Sequence, residues 1–404
     1  MAQYRVAWLL PISQPPIRDA WLHTERGRIV GFGHCRPGDF TEPDEIDLGE
    51  TAVLPGLVNA HTHLELSWLR GRIPETSHFP DWIASVVRLS RGVDYHDPAI
   101  SESIAKGVAE ARTFGTAVIG DVSNTLATTA ALLEQKVAAV IFHELISFRS
   151  VEAKKVLHAA IDRVQDQPSS PLVRHTIAPH APYSVSPALF GEIRQYLGRT
   201  PSARTTVHLG ESKAEIQFLQ RGTGPWRTLL ESLGVWDPSW VAPRCAPLDY
   251  LTHVGFLAEN VLIVHGVYLG PDEFAKLAET GATLVTCPRG NRRTGAGDPP
   301  ISEFFESGAR VAVGTDSLAS VPDLSVFAEL AEMRRLAPEI PARLLLESAT
   351  INGARALGFD AEFGTIEPGK SDRLVAITLS GPVSNIEEEL VCGIDAERIR
   401  WLPV

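Results

Sequence analysis

The apolar run 52–60, interrupted by Pro55-Gly56, ends in His61-Thr62-His63. A run without polar alternation reads as a strand buried on both faces. Seven further runs of this kind follow, at 116–121, 137–143, 173–178, 205–209, 261–264, 283–286 and 311–314. Amphipathic stretches with helical spacing lie between them, among them 100–114, 151–164, 186–197, 271–280 and 324–336. Eight buried strands joined by helical crossovers predict an α/β fold, a parallel (β/α)8 barrel.

The flanks have a different texture. Short strands at 4–10, 20–24 and 27–33 are punctuated by Pro15-Pro16, Pro37-Gly38-Asp39 and Glu42-Pro43-Asp44. After a last helix near 341–357, turn-rich sequence returns at Gly364-Thr365-Ile366-Glu367-Pro368-Gly369 and leads into strand-like pieces up to Val404. Neither flank alone has enough strands to close a core. The expectation is one small β-sandwich built from both termini, 1–51 and 359–404, beside a barrel spanning 52–358.

At 404 residues and 44% apolar the chain can bury a large core. A formal charge of −12 argues against nucleic acid and against an anionic membrane surface, and leaves a small molecule as the expected partner. A homodimer is left open. Four cysteines (Cys35, Cys245, Cys287, Cys392) form no CxxC pair, which favours a reduced, cytoplasmic protein over a disulfide scaffold. No uninterrupted apolar stretch approaches the ~18 residues of a membrane span.

The chemistry of a barrel sits where its strands finish. Here the first strand ends in His61 and His63, the fourth in His180 between Pro179 and Pro182, the fifth in His208, the sixth in His265 and the eighth in Asp316. A lone histidine at a strand end is usually a satisfied core residue. Five histidines and a carboxylate at five strand ends are not explained that way. Residues i and i+2 leave a strand on the same side, so His61 and His63 make a bidentate grip. With His208 and Asp316 they offer three nitrogens and one oxygen, a set suited to one divalent ion, zinc or alternatively ferrous iron. Such an ion lowers the pKa of a bound water toward neutrality, which points to hydrolysis.

Glu211, three residues beyond His208, is placed to carry a proton between water and substrate; the bland alternative is a helix N-terminal glutamate favoured by the macrodipole. His265, with Asp316, would orient the water. His180 is a substrate-facing candidate, and His143 after the third strand stands at even odds between function and structure.

With these residues placed, the chain resembles the amidohydrolase superfamily along essentially its whole length. The matching pieces are Pro55-Gly56-Leu57-Val58-Asn59-Ala60-His61-Thr62-His63, His208-Leu209-Gly210-Glu211, Val264-His265-Gly266, Gly314-Thr315-Asp316 and Gly369-Lys370-Ser371-Asp372. The resemblance implies a metal-dependent (β/α)8 barrel with a small sandwich made from both ends. Binuclear members commonly carry a bridging carboxylated lysine on the fourth strand, and this chain has no lysine between Lys155 and Lys213. That favours the mononuclear branch, similar to the cytosine, adenosine and guanine deaminases, whose glutamate protonates a ring nitrogen.

A finer resemblance, to the aminodeoxyfutalosine and adenosine-type deaminases, rests on His61-Thr62-His63-Leu64-Glu65-Leu66-Ser67, Cys287-Pro288-Arg289-Gly290-Asn291-Arg292 and Gly314-Thr315-Asp316-Ser317-Leu318-Ala319-Ser320. It implies hydrolytic release of ammonia from an aminated purine nucleoside or related N-heterocycle. Glu65 resembles the acidic position that contacts ribose hydroxyls. Arg289, which stands where related deaminases often have serine, clusters with Arg292 and Arg293 and could meet a substrate carboxylate. Trp68, Phe79 and Trp82, between the first strand and its helix, would form an aromatic lid or simply pack. Two rivals remain: hydrolysis of another leaving group, as in triazine chlorohydrolases or amide hydrolases, and a metal-binding scaffold without catalysis.

Overall fold

The computed structural model describes residues 2–36, 45–168, 170–200 and 202–402. The turns expected at Pro37-Gly38-Asp39 and Glu42-Pro43-Asp44 lie outside the described residues.

Five strands come first: β1 (Ala2–Leu9), β2 (Ile17–Glu25), β3 (Arg28–His34), β4 (Glu45–Asp47) and β5 (Thr51–Pro55). β6 (Leu57–Thr62), β7 (Thr116–Ser123), β8 (Ala138–Leu145) and β9 (Val173–Pro179) then form one four-stranded parallel sheet in sequential order. β10 (Thr205–Leu209), β11 (Val261–His265), β12 (Thr283–Thr286) and β13 (Arg310–Val313) form a second. β14 (Leu374–Thr378) and β15 (Ile399–Leu402) end the chain. The seven internal strands expected after the first run all occur, because each is buried on both faces between helices and so reads as unbroken apolar sequence.

The run 52–60 differs from expectation. It is two strands, parted at Gly56, where a Cβ would stand 2.6 Å from Ala117 Cβ and 2.9 Å from the Arg373 carbonyl oxygen. β5 pairs in parallel with β1 and antiparallel with β14, whereas β6 pairs with β7. One apolar run therefore serves two sheets.

The two parallel sheets meet along both sides. The amides of Thr315 and Asp316 donate to the His61 carbonyl at 3.0 and 3.1 Å, and Thr62 bridges Asp316. On the other side, His208 N donates to the His180 carbonyl at 2.8 Å and Thr205 Oγ1 to the Ile177 carbonyl at 2.9 Å. Val58, Ala60, Val118, Val140, Ala178, Val264, Val285 and Ala312, drawn from both sheets, pack into one buried cluster.

Both termini share a seven-stranded sheet in the order β15-β14-β5-β1-β2-β3, with β4 on β1. Along β14 and β5 the side chains alternate. Val53, Leu374 and Ala376 face the core of the terminal sheet, and Leu54, Val375 and Ile377 join the main core. The helix expected over 341–357 is two helices, Ala342–Ser348 and Ile351–Leu357, because the Ala349 carbonyl between them accepts from Val58 N of β6 at 2.8 Å. Among the described residues the four cysteines form no disulfide. Among the described residues no helix is long and apolar enough to cross a membrane.

Candidate active site

The strand ends converge. The His61 ring lies 4.9 Å from that of His63, 5.0 Å from that of His208 and 5.7 Å from that of His265, centroid to centroid. His63 Nε2 is 3.8 Å from Asp316 Oδ1. Ligand atoms of His61, His63 and Asp316 fall within 4.8 Å of one another, as do those of His61, His208 and His265. His61 belongs to both groups, which brings the four expected ligands and His265 into one neighbourhood.

Secondary contacts fix the rings. His208 Nδ1 donates to the His180 carbonyl at 3.1 Å, and His265 Nδ1 to Asn291 Oδ1 at 2.7 Å, so Nε2 of each is the unprotonated nitrogen. Ser320 Oγ donates to Asp316 Oδ2 at 2.8 Å, leaving Oδ1 toward His63. His265 and Asp316 both have left-handed backbones, φ +78° and +59°. A non-glycine residue held there is strained, and the joined strand ends impose it.

Burial, and after it the neighbouring imidazoles, push His61 and His63 well below the ordinary histidine range; burial takes His208 down to about 4. The imidazoles are therefore neutral, with lone pairs available to a metal. Burial raises Asp316 to about 6. The donor set passes a stricter test as well: His61 Nε2 is buried with no hydrogen-bond partner, an orphan of the kind an ion satisfies. Three imidazoles and a carboxylate in this arrangement fit one divalent cation of the zinc type.

Glu211 leaves the end of β10 and its Oε1 is 3.3 Å from His265 Nε2. Glu215 braces the turn, accepting from Gly210 N at 3.0 Å and Glu211 N at 3.1 Å. Burial, then the charges of Asp316 and Glu215, raise the Glu211 carboxyl well above the ordinary range, so that it can hold a proton.

A cavity of about 210 Å³ opens on these groups. Its polar side carries His63, His180, His208, Glu211, His265, Asp316, Asn124 and Glu144; Leu66, Phe79, Trp82, Ile83 and Val86 wall the apolar side. A second cavity of about 190 Å³ shares Ile83, Val87, Ile146 and His180 with the first and continues between Phe148, Tyr183, Trp226 and Leu230.

A model of the Amidohydrolase family matches residues 52–393. The chain belongs to the amidohydrolase family. It is 28% identical over 374 residues to the 5-methylthioadenosine/S-adenosylhomocysteine deaminase of Halobacterium salinarum, covering 90% of this amidohydrolase and 80% of that protein. It is 29% identical over 319 residues to the aminodeoxyfutalosine deaminase of Deinococcus radiodurans, covering 76% and 73% of the two chains. Among solved structures, a Xanthomonas campestris adenosine deaminase with bound zinc superposes with a TM-score of 0.82 at 24% identity, over 98% of this chain and 90% of that one.

Two substrate-contact expectations for this amidohydrolase are corrected by its geometry. The Glu65 carboxylate does not reach the cavity: it is buried under the loop after β7, accepting from Ser123 Oγ at 2.7 Å, Asn124 N at 2.8 Å, Thr125 N at 3.2 Å and Thr125 Oγ1 at 2.8 Å. Arg289 is no anion receptor either. Its guanidinium grips Asp323 Oδ1 at 2.9 and 3.0 Å and lies 3.6 Å from Glu329. Arg292 is paired with Asp298 and Glu332, and Arg293 lies 3.9 Å from Glu75.

Of the aromatic trio, Phe79 and Trp82 line the cavity from the helix Phe79–Ser90, while Trp68 stacks under Arg72 at 5.2 Å. His143 is buried, Nδ1 3.2 Å from the Ser123 carbonyl, and does not line the cavity. His180 does line it. The sequence reading missed Glu144 and Asn291; Asn291 sits inside a motif already singled out, but which neighbour its amide serves is visible only in three dimensions.

Proposed function

We propose that this amidohydrolase is a metal-dependent hydrolytic deaminase of an aminated purine nucleoside or related N-heterocycle. In this reading its two parallel sheets close as one (β/α)8 barrel, nominally 52–358, with a small β-sandwich from 1–51 and 359–404. The observation that carries the function is Glu211, buried 3.3 Å from His265 Nε2 beside the clustered His61, His63, His208 and Asp316, in an aromatic-walled cavity.

His61, His63, His208 and Asp316 would hold the ion, and zinc suits three nitrogens and one oxygen. The ion supplies Lewis-acid activation of water. Glu211 takes a proton from the attacking water and delivers it to the ring nitrogen beside the amino-bearing carbon; its raised pKa suits both halves of that transfer. His265, its Nδ1 proton committed to Asn291, presents Nε2 as an acceptor that orients the water, and Asp316 assists from the other side. The remaining hydroxyl proton passes by way of His265 Nε2 to the amino group, the carbon–nitrogen bond breaks, a carbonyl forms on the ring and ammonia leaves.

Phe79 and Trp82 suit the faces of a heterocycle. The second, largely apolar cavity, whose lining includes Arg149, suits a group beyond the sugar such as a methylthio group or the benzoate end of 6-amino-6-deoxyfutalosine. Purified protein with one equivalent of zinc should release ammonia from adenosine, 5′-deoxyadenosine or 5′-methylthioadenosine. Glu211→Gln should lower kcat about 10²- to 10⁴-fold with the metal retained. Release of chloride from a chlorotriazine with no ammonia from any nucleoside would refute the reading in favour of another leaving group.

A further inference from the structure

The helix Pro288–Thr294 reaches both groups that the reaction above assigns to the water. At Gly290 a Cβ would stand 3.0 Å from Asp316 Cβ and 3.1 Å from Asp316 Oδ2, so bare backbone rests on the Asp316 side chain. One residue on, Asn291 Oδ1 lies 2.7 Å from His265 Nδ1. Asn291 Nδ2 is buried and has no hydrogen-bond partner among the described residues. The amide has no second anchor, so its aim follows its backbone.

That backbone is held at the preceding residue. Arg289 N donates to Glu329 Oε2 at 3.0 Å, and Glu329, in the helix Val326–Leu336, has a fully buried side chain. The Arg289 guanidinium turns the same way. Its Nη1 and Nη2 donate to Asp323 Oδ1 at 2.9 and 3.0 Å, Nη2 also to the Asp323 carbonyl at 3.3 Å, and Nε lies 3.6 Å from Glu329 Oε1. Asp323 Oδ1 accepts from Ser325 N at 3.0 Å as well, which ties the grip to the start of that helix. Burial raises the Glu329 carboxyl to about 8, with the Arg289 charge the largest influence opposing it. A carboxylic acid keeps a carbonyl acceptor, so the contact to Arg289 N survives in either protonation state.

We propose that Glu329 and Arg289 are positioning residues that hold the turn 289–291, so that Asn291 meets His265 Nδ1 and Gly290 meets Asp316. Neither side chain lines the metal-site cavity, so both act through the groups they place. The proposal rests on the deaminase reading above.

The test compares zinc-loaded wild type, Glu329→Leu, Glu329→Gln and Arg289→Met on whichever of the three nucleosides the wild type turns over fastest. Leucine fills the space of Glu329 without offering an acceptor. Glu329→Leu should lower kcat about 10- to 100-fold, with KM little changed and one equivalent of zinc retained. Glutamine keeps a carbonyl for Arg289 N and should stay within about threefold of the wild type. Arg289→Met keeps the backbone contact but loses the grip on Asp323, and its kcat should fall about 3- to 10-fold. A second readout needs no turnover. In the zinc-free protein the His265 Nδ1 proton should give a downfield imidazole resonance, identified by its absence in Asn291→Ala. It should persist in Glu329→Gln and be lost or displaced in Glu329→Leu.

A folded Glu329→Leu enzyme with the wild-type kcat overturns the proposal. A loss in Glu329→Gln equal to that in Glu329→Leu overturns it too, because the effect would then lie in the charge. A loss that falls on KM does the same, since it would make these residues substrate contacts. Should Glu329→Leu not be recovered folded, Arg289→Met decides, and an unchanged kcat with an unmoved resonance overturns the proposal. A zinc-loaded wild type inactive on every nucleoside removes the deaminase reading and this proposal with it, whereas an active wild type whose kcat survives in Glu329→Leu removes this proposal alone.

Discussion

In the proposed site Asp316 is the ligand through which protons would compete with a metal. The imidazoles are held neutral far below pH 6, while burial holds the Asp316 carboxyl up at about 6. A ligand must be deprotonated to bind. Zinc affinity should therefore be flat above pH 6 and fall ~tenfold per unit below it, with one proton released per zinc in that window. A chelator-competition titration from pH 5 to 8 checks this; affinity unchanged at pH 5 would remove Asp316 from the ligand set. Asn291→Ala should leave zinc bound and lower kcat by about 10- to 100-fold, with KM little changed, because His265 loses the partner that fixes its tautomer. Steady-state kinetics on the zinc-loaded variant would show it. At this scale the histidines and Asp316 stood out in the sequence because each lies in the last residues of a largely apolar strand or just beyond it. Glu65 and Arg289 deceived because nearness along the chain does not show which backbone amides and carboxylates capture a side chain first.

Strands and helices carry the site through their joints. At Gly314, between β13 and Asp316, a Cβ would stand 2.6 Å from the His61 carbonyl oxygen and 2.8 Å from His61 N. Both atoms are backbone, and the carbonyl oxygen accepts the Thr315 and Asp316 amides, so they cannot give way cheaply. Gly314→Ala should cost about 1–3 kcal/mol in urea unfolding and weaken zinc binding together with it. Stability lost without any change in zinc affinity would mean that this joint does not set the ligand geometry. The helix Phe79–Ser90 supplies the aromatic wall, and Trp82→Ala should raise KM for a nucleoside about 10-fold while sparing kcat. Buried strands were legible almost to the residue: 205–209 and 283–286 coincide with β10 and β12. The helix break near residue 349 was not, because its cause is a hydrogen bond to β6, nearly three hundred residues away in sequence. The parting of 52–60 was hidden likewise, since the close approach at Gly56 involves Ala117 and Arg373.

For the molecule as a whole, the two ends of the chain are held together by β14, which pairs with β5 on one side and β15 on the other. That both flanks contribute to one β unit was legible from their shared turn-rich texture; that the unit is stapled through β5 directly beneath His61 was not. β14 is buried on both faces, and Val375, Ile377 and Ile399 sit in the same core cluster as Leu345, Leu346 and Ala349 of the last helices. Each large aliphatic side chain withdrawn from water contributes about 1.5–3 kcal/mol, so these three alone represent about 5–9 kcal/mol. Net stabilities of folded proteins are about 5–15 kcal/mol. Ending the chain after Arg373 would also strip β5 of its β14 partner and leave an unpaired edge next to the metal-ligand strand. The truncated protein is expected to be recovered aggregated, or without a cooperative unfolding transition and without zinc, whereas Arg400→Ala, at the exposed position of β15, should leave both intact. A soluble truncation that unfolds cooperatively and still binds one zinc would show that the two parallel sheets carry the site unaided and that the terminal sheet is an accessory.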